Sequence, residues 1–311
     1  MAELSLARTR EQTRPPLVRW IVGNGLAVLL ILPSIAILVA YIVLPALNLF
    51  WLSFTDYSPG LESRFVGLAN YTSLIADPAF QAATVRNIVY VAGVVTLQVG
   101  VGLLIALLLD NPIPFRAVFM ALLIAPYAVS PIVSVVMWKY MLDPSFGLVN
   151  YAISTMGLPR VPWFSNPVTS MLAVVIVAVW SSFSFTAIVA FAALRSVPGE
   201  ILEAARVDGA TPTQILFGIK LPLILPALSI VILFEIIYTI REFGIIQTMT
   251  GGGPGTSTEI FSLYLYRQAF SYFDFGKGSA VGWIMLLVTL VLSLFLVRRT
   301  FRSMFPSRQG G

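Results

Sequence analysis

Six stretches of about twenty or more residues in this chain carry almost no charge, and this constrains its fold more than any other feature. They cover residues 21–50, 87–109, 117–138, 169–194, 221–240 and 278–297; a single charged side chain, Glu235, falls within them. A hydrocarbon core about 30 Å thick is crossed by about 20 apolar residues in helical form. Lipid offers no partner for open backbone groups, so each span must satisfy its own hydrogen bonds. The expected fold class is therefore all-α integral membrane, with six transmembrane helices. The first stretch is overlong and holds Pro33 and Pro45, and it reads as one tilted or kinked span. It runs from Trp20 to about Leu52 without a charge, too long for a signal-peptide core, so it is expected to stay as an anchor.

Composition narrows the chemistry. Of 311 residues 58% are hydrophobic and 11% charged, and there is neither cysteine nor histidine. Thiol nucleophiles, disulfides, imidazole bases and the usual zinc ligand sets are thereby removed; no catalytic residue and no metal site is expected. The net charge of +5 does not point to nucleic acid, because the arginines cluster in the tails, Arg8, Arg10, Arg14 and Arg19 at one end and Arg298, Arg299, Arg302 and Arg308 at the other. Arginines flanking apolar spans are anchors and orientation signals. Six spans put both termini on one side. Twelve of the 19 basic residues fall on that side, so it is expected to be cytoplasmic. The expected division is a cytoplasmic tail 1–20, a six-span domain 21–297 with a cytoplasmic loop 196–222, and a cytoplasmic tail 298–311.

That loop carries the most distinctive local pattern, EAARVDGATPTQILFGIKLP over residues 203–222. Pro198 can begin a short helix, and Asp208-Gly209 breaks it with a turn. Thr211 restarts one, with Pro212 at the first helical position and Gln214 at the third, a capping-box arrangement. Small side chains at Ala204, Ala205 and Ala210 make a compact protrusion that another protein's backbone can approach. The bland alternative is a helical hairpin whose acids and Arg206 form a solvated face.

Glu203-Ala204-Ala205, Gly209, Ile219, Leu221 and Pro222 resemble the EAA loop of binding-protein-dependent ABC importers, in which the membrane subunit docks into a cleft of its ATPase. The resemblance implies coupling roles for Glu203, Ala204, Ala205, Asp208, Gly209 and Ala210. Gly251 to Thr258, GGGPGTST, is similar to the TGGGP turn after the fifth span of maltose-type permeases. Asp274-Phe275-Gly276, Ala125-Pro126-Tyr127 and Phe146-Gly147 extend the match, as do residues 65–71 and 77–80 in the first outer loop. The glycine run lacks the lysine of a phosphate loop, and no GxxxxGK[ST] occurs. The family resemblance implies a type I ABC importer permease fold. ATP and Mg would then be bound by separate ATPase subunits, with no cofactor in this chain. Thr256 to Glu259 reads as a second capping box, opening a short helix toward Phe270 with Tyr264 and Tyr266 as interfacial anchors.

An ionisable residue inside a span is a functional-site hypothesis by default. Glu235, Tyr238, Thr239 and Glu242 follow i, i+3, i+4, i+7 spacing, which puts them on one helical stripe. Carboxylates accept hydrogen bonds from hydroxyls and aromatic faces stack on sugar rings. The fourth span offers a second polar patch, Trp180, Ser181, Ser182, Ser184 and Phe185. The resemblance implies that both patches contact sugar. For the serines the alternative is helix packing. For Glu235 it is pairing with a polar group on a neighbouring helix; Gln98 in the second span is a further candidate. The acids at 235 and 242 replace uncharged polar residues of the maltose subunit, the large inserted outer domain is missing, and Arg241 can either neutralise Glu242 or meet an anionic substituent.

The expectation is thus a permease subunit of a bacterial or archaeal ABC importer for a carbohydrate or related polyol, in the cytoplasmic (inner) membrane. It would work with a second homologous permease, two cytosolic ATPase subunits and an extracytoplasmic binding protein, surrounded by lipid and without nucleic acid. The rival expectation is an ion-coupled secondary transporter with Glu235 as the relay.

Overall fold

The structure is a computed structural model describing residues 25–304. The tail 1–20, the start of the first expected span, and the terminal residues beyond 304, Arg308 among them, lie outside the described residues. The described chain divides after Leu52 into two compact units.

The first unit is one helical run. Helix α1 (Gly25–Leu38) passes through a π-helical turn, Val39–Val43, into α2 (Leu44–Leu52). The wider turn lies directly ahead of Pro45, which has no N–H to give to a regular ladder. The run is apolar all round, and its large side chains are exposed, from Leu29 to Trp51. That is the pattern of a helix made for an apolar surround.

The second unit begins with a single antiparallel bridge, Thr55 to Phe65, and the short helix α3 (Ala69–Ala76). Next come α4 (Pro78–Asp110), α5 (Arg116–Ala128), α6 (Pro131–Met141), α7 (Leu148–Thr155) and α8 (Pro167–Arg195). A hairpin of α9 (Gly199–Val207) and α10 (Pro212–Ile215) leads through a π-helical turn, Leu216–Lys220, into α11 (Leu221–Ile240). Short helices α12 (Gly244–Met249) and α13 (Phe261–Tyr266) precede α14 (Phe275–Met304).

Two long helices start earlier than apolarity alone suggested, at residues 78 and 167, because each opens on a polar cap followed by proline. Asp77 accepts the Ala79 N–H at 2.8 Å and Asn166 accepts from Val168 at 2.9 Å, with the proline at the first helical position where its missing N–H costs nothing.

Among the described residues five helical runs are long and apolar enough to cross a membrane, and a bent pair makes up to six. The expected third span, 117–138, is that pair. It is no single helix: α5 and α6 meet at 98°. Val129 and Ser130 are extended, with ψ of 136° and 134°; Ser130 is so because Pro131 pushes the residue before it out of the helical region.

Helix α4 buries one stripe, from Phe80 and Ala83 through Asn87, Tyr90, Val94 and Gln98 to Gly102, Ala106 and Leu109, the spacing of a single helical face. Most of that face packs along α8. The closest approach is at Gly102, where a Cβ would lie 2.6 Å from Thr186 Cβ and 3.0 Å from the Ala187 nitrogen. Helix α11 packs on both α4 and α8, and α14 packs on α11.

Candidate functional site

Where α4, α8 and α11 meet, Glu235 and Thr239 turn inward and are 5% and 3% exposed. Both belong to a helix otherwise made almost wholly of aliphatic residues. Helix α4 contributes Tyr90, Val94 and Gln98, one above another at four-residue spacing, and α8 contributes Ala178 and Ser182. Tyr238, Glu242 and Ile245 complete the lining of a small cavity of about 10 Å³, room for about one water molecule. Glu235 faces the Gln98 side chain. That amide is 1% exposed, and it reaches the Glu235 carboxyl loosely, its Nε2 falling short of full hydrogen-bond geometry. A buried donor of this kind is costly unless something completes it.

Glu242 lies just past the end of α11, and its Oε1 accepts the Ile245 N–H at 2.9 Å, tying it to the start of α12. Its backbone carbonyl accepts from the Ser262 hydroxyl. Arg241 does not neutralise it. The Arg241 Nε donates to the Ile237 carbonyl at 3.2 Å, and the side chain lines a separate groove between α11 and α14.

The structure brings together five of the candidate substrate residues, Glu235, Tyr238, Thr239, Glu242 and Ser182, and leaves three outside the cavity. Trp180 packs edge-on against Trp138 at 5.7 Å, and Phe185 stacks on Tyr127 at 6.4 Å. The Ser181 hydroxyl donates to the Val177 carbonyl one turn back, and Ser184 donates to the Leu123 carbonyl on α5 at 2.5 Å. Ser184 thus joins α8 to α5, while the Ser181 bond stays within α8. Tyr90, Val94, Ala178 and Ile245 line the cavity without having stood out in the sequence; Tyr90 is two helical turns from Gln98 on the same stripe, a register that points to it. Among the described residues, no group of three or more acidic side chains is gathered as a metal-binding set.

The hairpin forms as its sequence dictates. Thr211 and Gln214 make the reciprocal capping box. Helix α9 ends in a Schellman closure: Ala210 N–H reaches the Ala205 carbonyl at 2.9 Å, Gly209 N–H reaches that of Arg206 at 3.1 Å, and Gly209 adopts φ +79°. Glu203, Ala204, Asp208 and Gly209 are exposed, and Ala205 and Ala210 are partly buried. Val207, 87% exposed, and Phe217, 64% exposed, add an apolar tip. Lys220, where the hairpin enters α11, meets Asp110 at the end of α4 at 2.5 Å.

At the opposite ends of these helices the glycine turn is held by Arg267, which pairs with Glu259 and donates to the Gly251 carbonyl at 2.8 Å. Burial raises the Glu259 carboxyl above its ordinary pKa, while the Arg267 guanidinium pulls it back down. Glu259 therefore does not cap a helix at Thr256. Helix α13 opens later, at Phe261, after an uncapped Ile260.

The fold and the cavity define a multi-span helical membrane protein built around one small polar chamber, with an exposed helical hairpin leading into one wall of that chamber. The family model described as "Binding-protein-dependent transport system inner membrane component" matches residues 98–301, and the chain belongs to this family. It is an ABC transporter permease with several membrane-spanning helices. The trehalose/maltose transport system permease protein MalF of Thermococcus litoralis is 35% identical over 276 residues, covering 88% of this chain and 92% of the relative. The sn-glycerol-3-phosphate transport system permease protein UgpA of Yersinia pseudotuberculosis is 32% identical over 279 residues, covering 88% and 94%. A chain from the solved structure of a bacterial ABC transporter involved in import of the acidic polysaccharide alginate matches with a TM-score of 0.81 at 23% identity, over 93% of this chain and 99% of that one. That likeness shows a shared fold.

Proposed function

We propose that this chain forms half of the translocation pathway of an ATP-driven importer for a carbohydrate or related polyol. The observation that carries this reading is the polar chamber itself. Hydroxyl, carboxyl and amide groups from α4, α8 and α11 converge inside an otherwise apolar bundle, and a polyhydroxylated molecule offers donors and acceptors to match. Glu235, Tyr238, Thr239, Glu242 and Ser182 are the contact residues, with Tyr238 as the stacking surface. Trp180, Phe185 and Ser181 remain proposed contacts on α8 outside the cavity, available to a substrate larger than the cavity.

The hairpin around Glu203, Ala204, Ala205, Asp208, Gly209 and Ala210 docks on cytosolic ATPase subunits, which bind and hydrolyse ATP. A second permease completes the pathway, and an extracytoplasmic binding protein delivers the substrate. Both termini then lie in the cytoplasm, as the arginine distribution expects, and 1–20, 21–297 and 298–311 act as tail, permease domain and tail. The chain itself converts ATPase closure into alternating access of the chamber.

The test is uptake into proteoliposomes holding the assembled complex and its binding protein. A sugar or polyol should enter only with internal ATP. Uptake driven by an ion gradient, without ATPase subunits, would overturn the reading.

A further inference from the structure

Given the sugar-importer reading, we infer that the chamber in this half of the transporter selects substrates without an acidic group, and that Glu235 enforces the selection. Two carboxyl groups, Glu235 and Glu242, line the cavity, and no lysine or arginine does. Neither acid has an ion-pair partner among the described residues. The nearest cation in sequence, Arg241, lines the groove between α11 and α14 and not the cavity; its charge reaches Tyr238 at the cavity's edge and pairs with neither acid. Protonated or ionised, the two acids supply no positive charge, so a phosphate, sulfonate or carboxylate entering here meets at best neutral groups. An unpaired charge taken out of water is among the costliest things a site can hold.

A second observation points to a ligand of the opposite kind. The Gln98 side chain, 1% exposed, borders the chamber beside Glu235, and its Nε2 makes no hydrogen bond of full geometry, so its donor capacity is not used up. With the two acids, the chamber offers a donor and several acceptors, the complement of hydroxyl groups, each of which both donates and accepts. Relatives at similar identity carry names from both substrate classes, trehalose/maltose and sn-glycerol-3-phosphate, so family membership alone does not decide the charge of the cargo.

The experiment uses the assembled importer with its binding protein in ATP-loaded proteoliposomes, offered matched probes: glucose against glucuronate, glycerol against glycerol-3-phosphate, and maltose and trehalose as larger neutral sugars. At least one neutral probe should enter in an ATP-dependent way, with every acidic probe at least about tenfold slower. Direct binding of the same pairs to the nucleotide-free complex, without the binding protein, then separates the chamber's preference from the delivery step. There Glu235→Gln should narrow the gap between a neutral probe and its acidic counterpart. If the variant fails to assemble, the wild-type binding comparison decides. Acidic probes bound and carried as well as neutral ones would overturn the inference while leaving the sugar importer intact. ATP-dependent uptake of none of the probes would remove the carbohydrate reading itself.

Discussion

Glu235 is the residue on which the proposed site turns. Glutamine there keeps size and an acceptor oxygen but removes the capacity for a charge-assisted hydrogen bond, worth about 1.5 to 3 kcal/mol. We expect Glu235→Gln to lower uptake about tenfold to hundredfold, at about 1.4 kcal/mol per decade, with the partner subunits still co-purifying. Unchanged uptake would move the site elsewhere, and loss of the complex would make the residue structural. Gly209 is the corresponding residue in the hairpin. Its φ of +79° lies where a β-branched side chain is strained by about 1 to 3 kcal/mol, while no neighbour lies within 4 Å of a Cβ built there. Gly209→Val should therefore perturb the turn without a steric clash and reduce substrate-stimulated ATP hydrolysis; Gly209→Asn, which tolerates this conformation better, should retain more of it. Equal rates in all three proteins would take the hairpin out of the coupling.

At the level of elements, the Lys220–Asp110 pair bridges the hairpin's junction with α11 to the end of α4. Both side chains are largely shielded, 21% and 14% exposed, so its loss falls between the about 1 kcal/mol of an exposed pair and the about 3 kcal/mol of a buried pair broken on one side. Asp110→Asn should lower the thermal midpoint of the detergent-solubilised complex, and the exchanged pair Asp110→Lys with Lys220→Asp should recover part of it. A swap no better than the single variant would show that the charges do not act on each other. The elements themselves were largely legible in the sequence, since a run of twenty apolar residues has few alternatives in lipid and Thr211–Gln214 is a local capping code. The break in the third span was missed although Pro131 announced it, because an apolar window counts residues and ignores the backbone restriction before proline. The site was half legible. The stripe of Glu235, Tyr238 and Thr239 on α11 follows from spacing alone; Glu242, expected on the same stripe, lies past the helix end and reaches the same cavity from the following turn. Trp180 and Phe185 lie outside this cavity, and polar or aromatic character on α8 does not say which neighbour a face meets. Only packing sets them against Trp138 and Tyr127. Gln98 stood out as a polar side chain in an apolar span, whereas Val94, Ala178 and Ile245 gained their places by tertiary approach, which no local pattern encodes.

For the molecule as a whole, the orientation proposal has a direct check, because the chain contains no cysteine. Single cysteines at Gly60 and at Thr213, both exposed, can be labelled without background. An impermeant thiol reagent on intact cells, with any outer membrane opened, should reach the first and miss the second; the reverse pattern would invert the proposed topology. A second expectation follows from how the chamber is walled. The space enclosed by its walls admits about one water molecule, while Tyr238 beside it is 55% exposed, and we expect α11 to move outward to make room for a sugar. Helices α4 and α8 meet so closely at Gly102 that even a methyl group would collide with Thr186, and interiors packed to this density move as rigid pieces. Spin labels on α4 and α8 should therefore keep their separation through the ATPase cycle, while a label on α11 should move away from both; a constant α4–α11 distance would refute this. Helix α11 is also the wall that runs back through a π-helical turn into the hairpin. On the proposed function, a displacement at the hairpin needs no relay of intermediates to reach the chamber: the part expected to dock and the wall expected to move would be two ends of one rod, and the Gly102 contact would be the weld that gives the rod something fixed to push against.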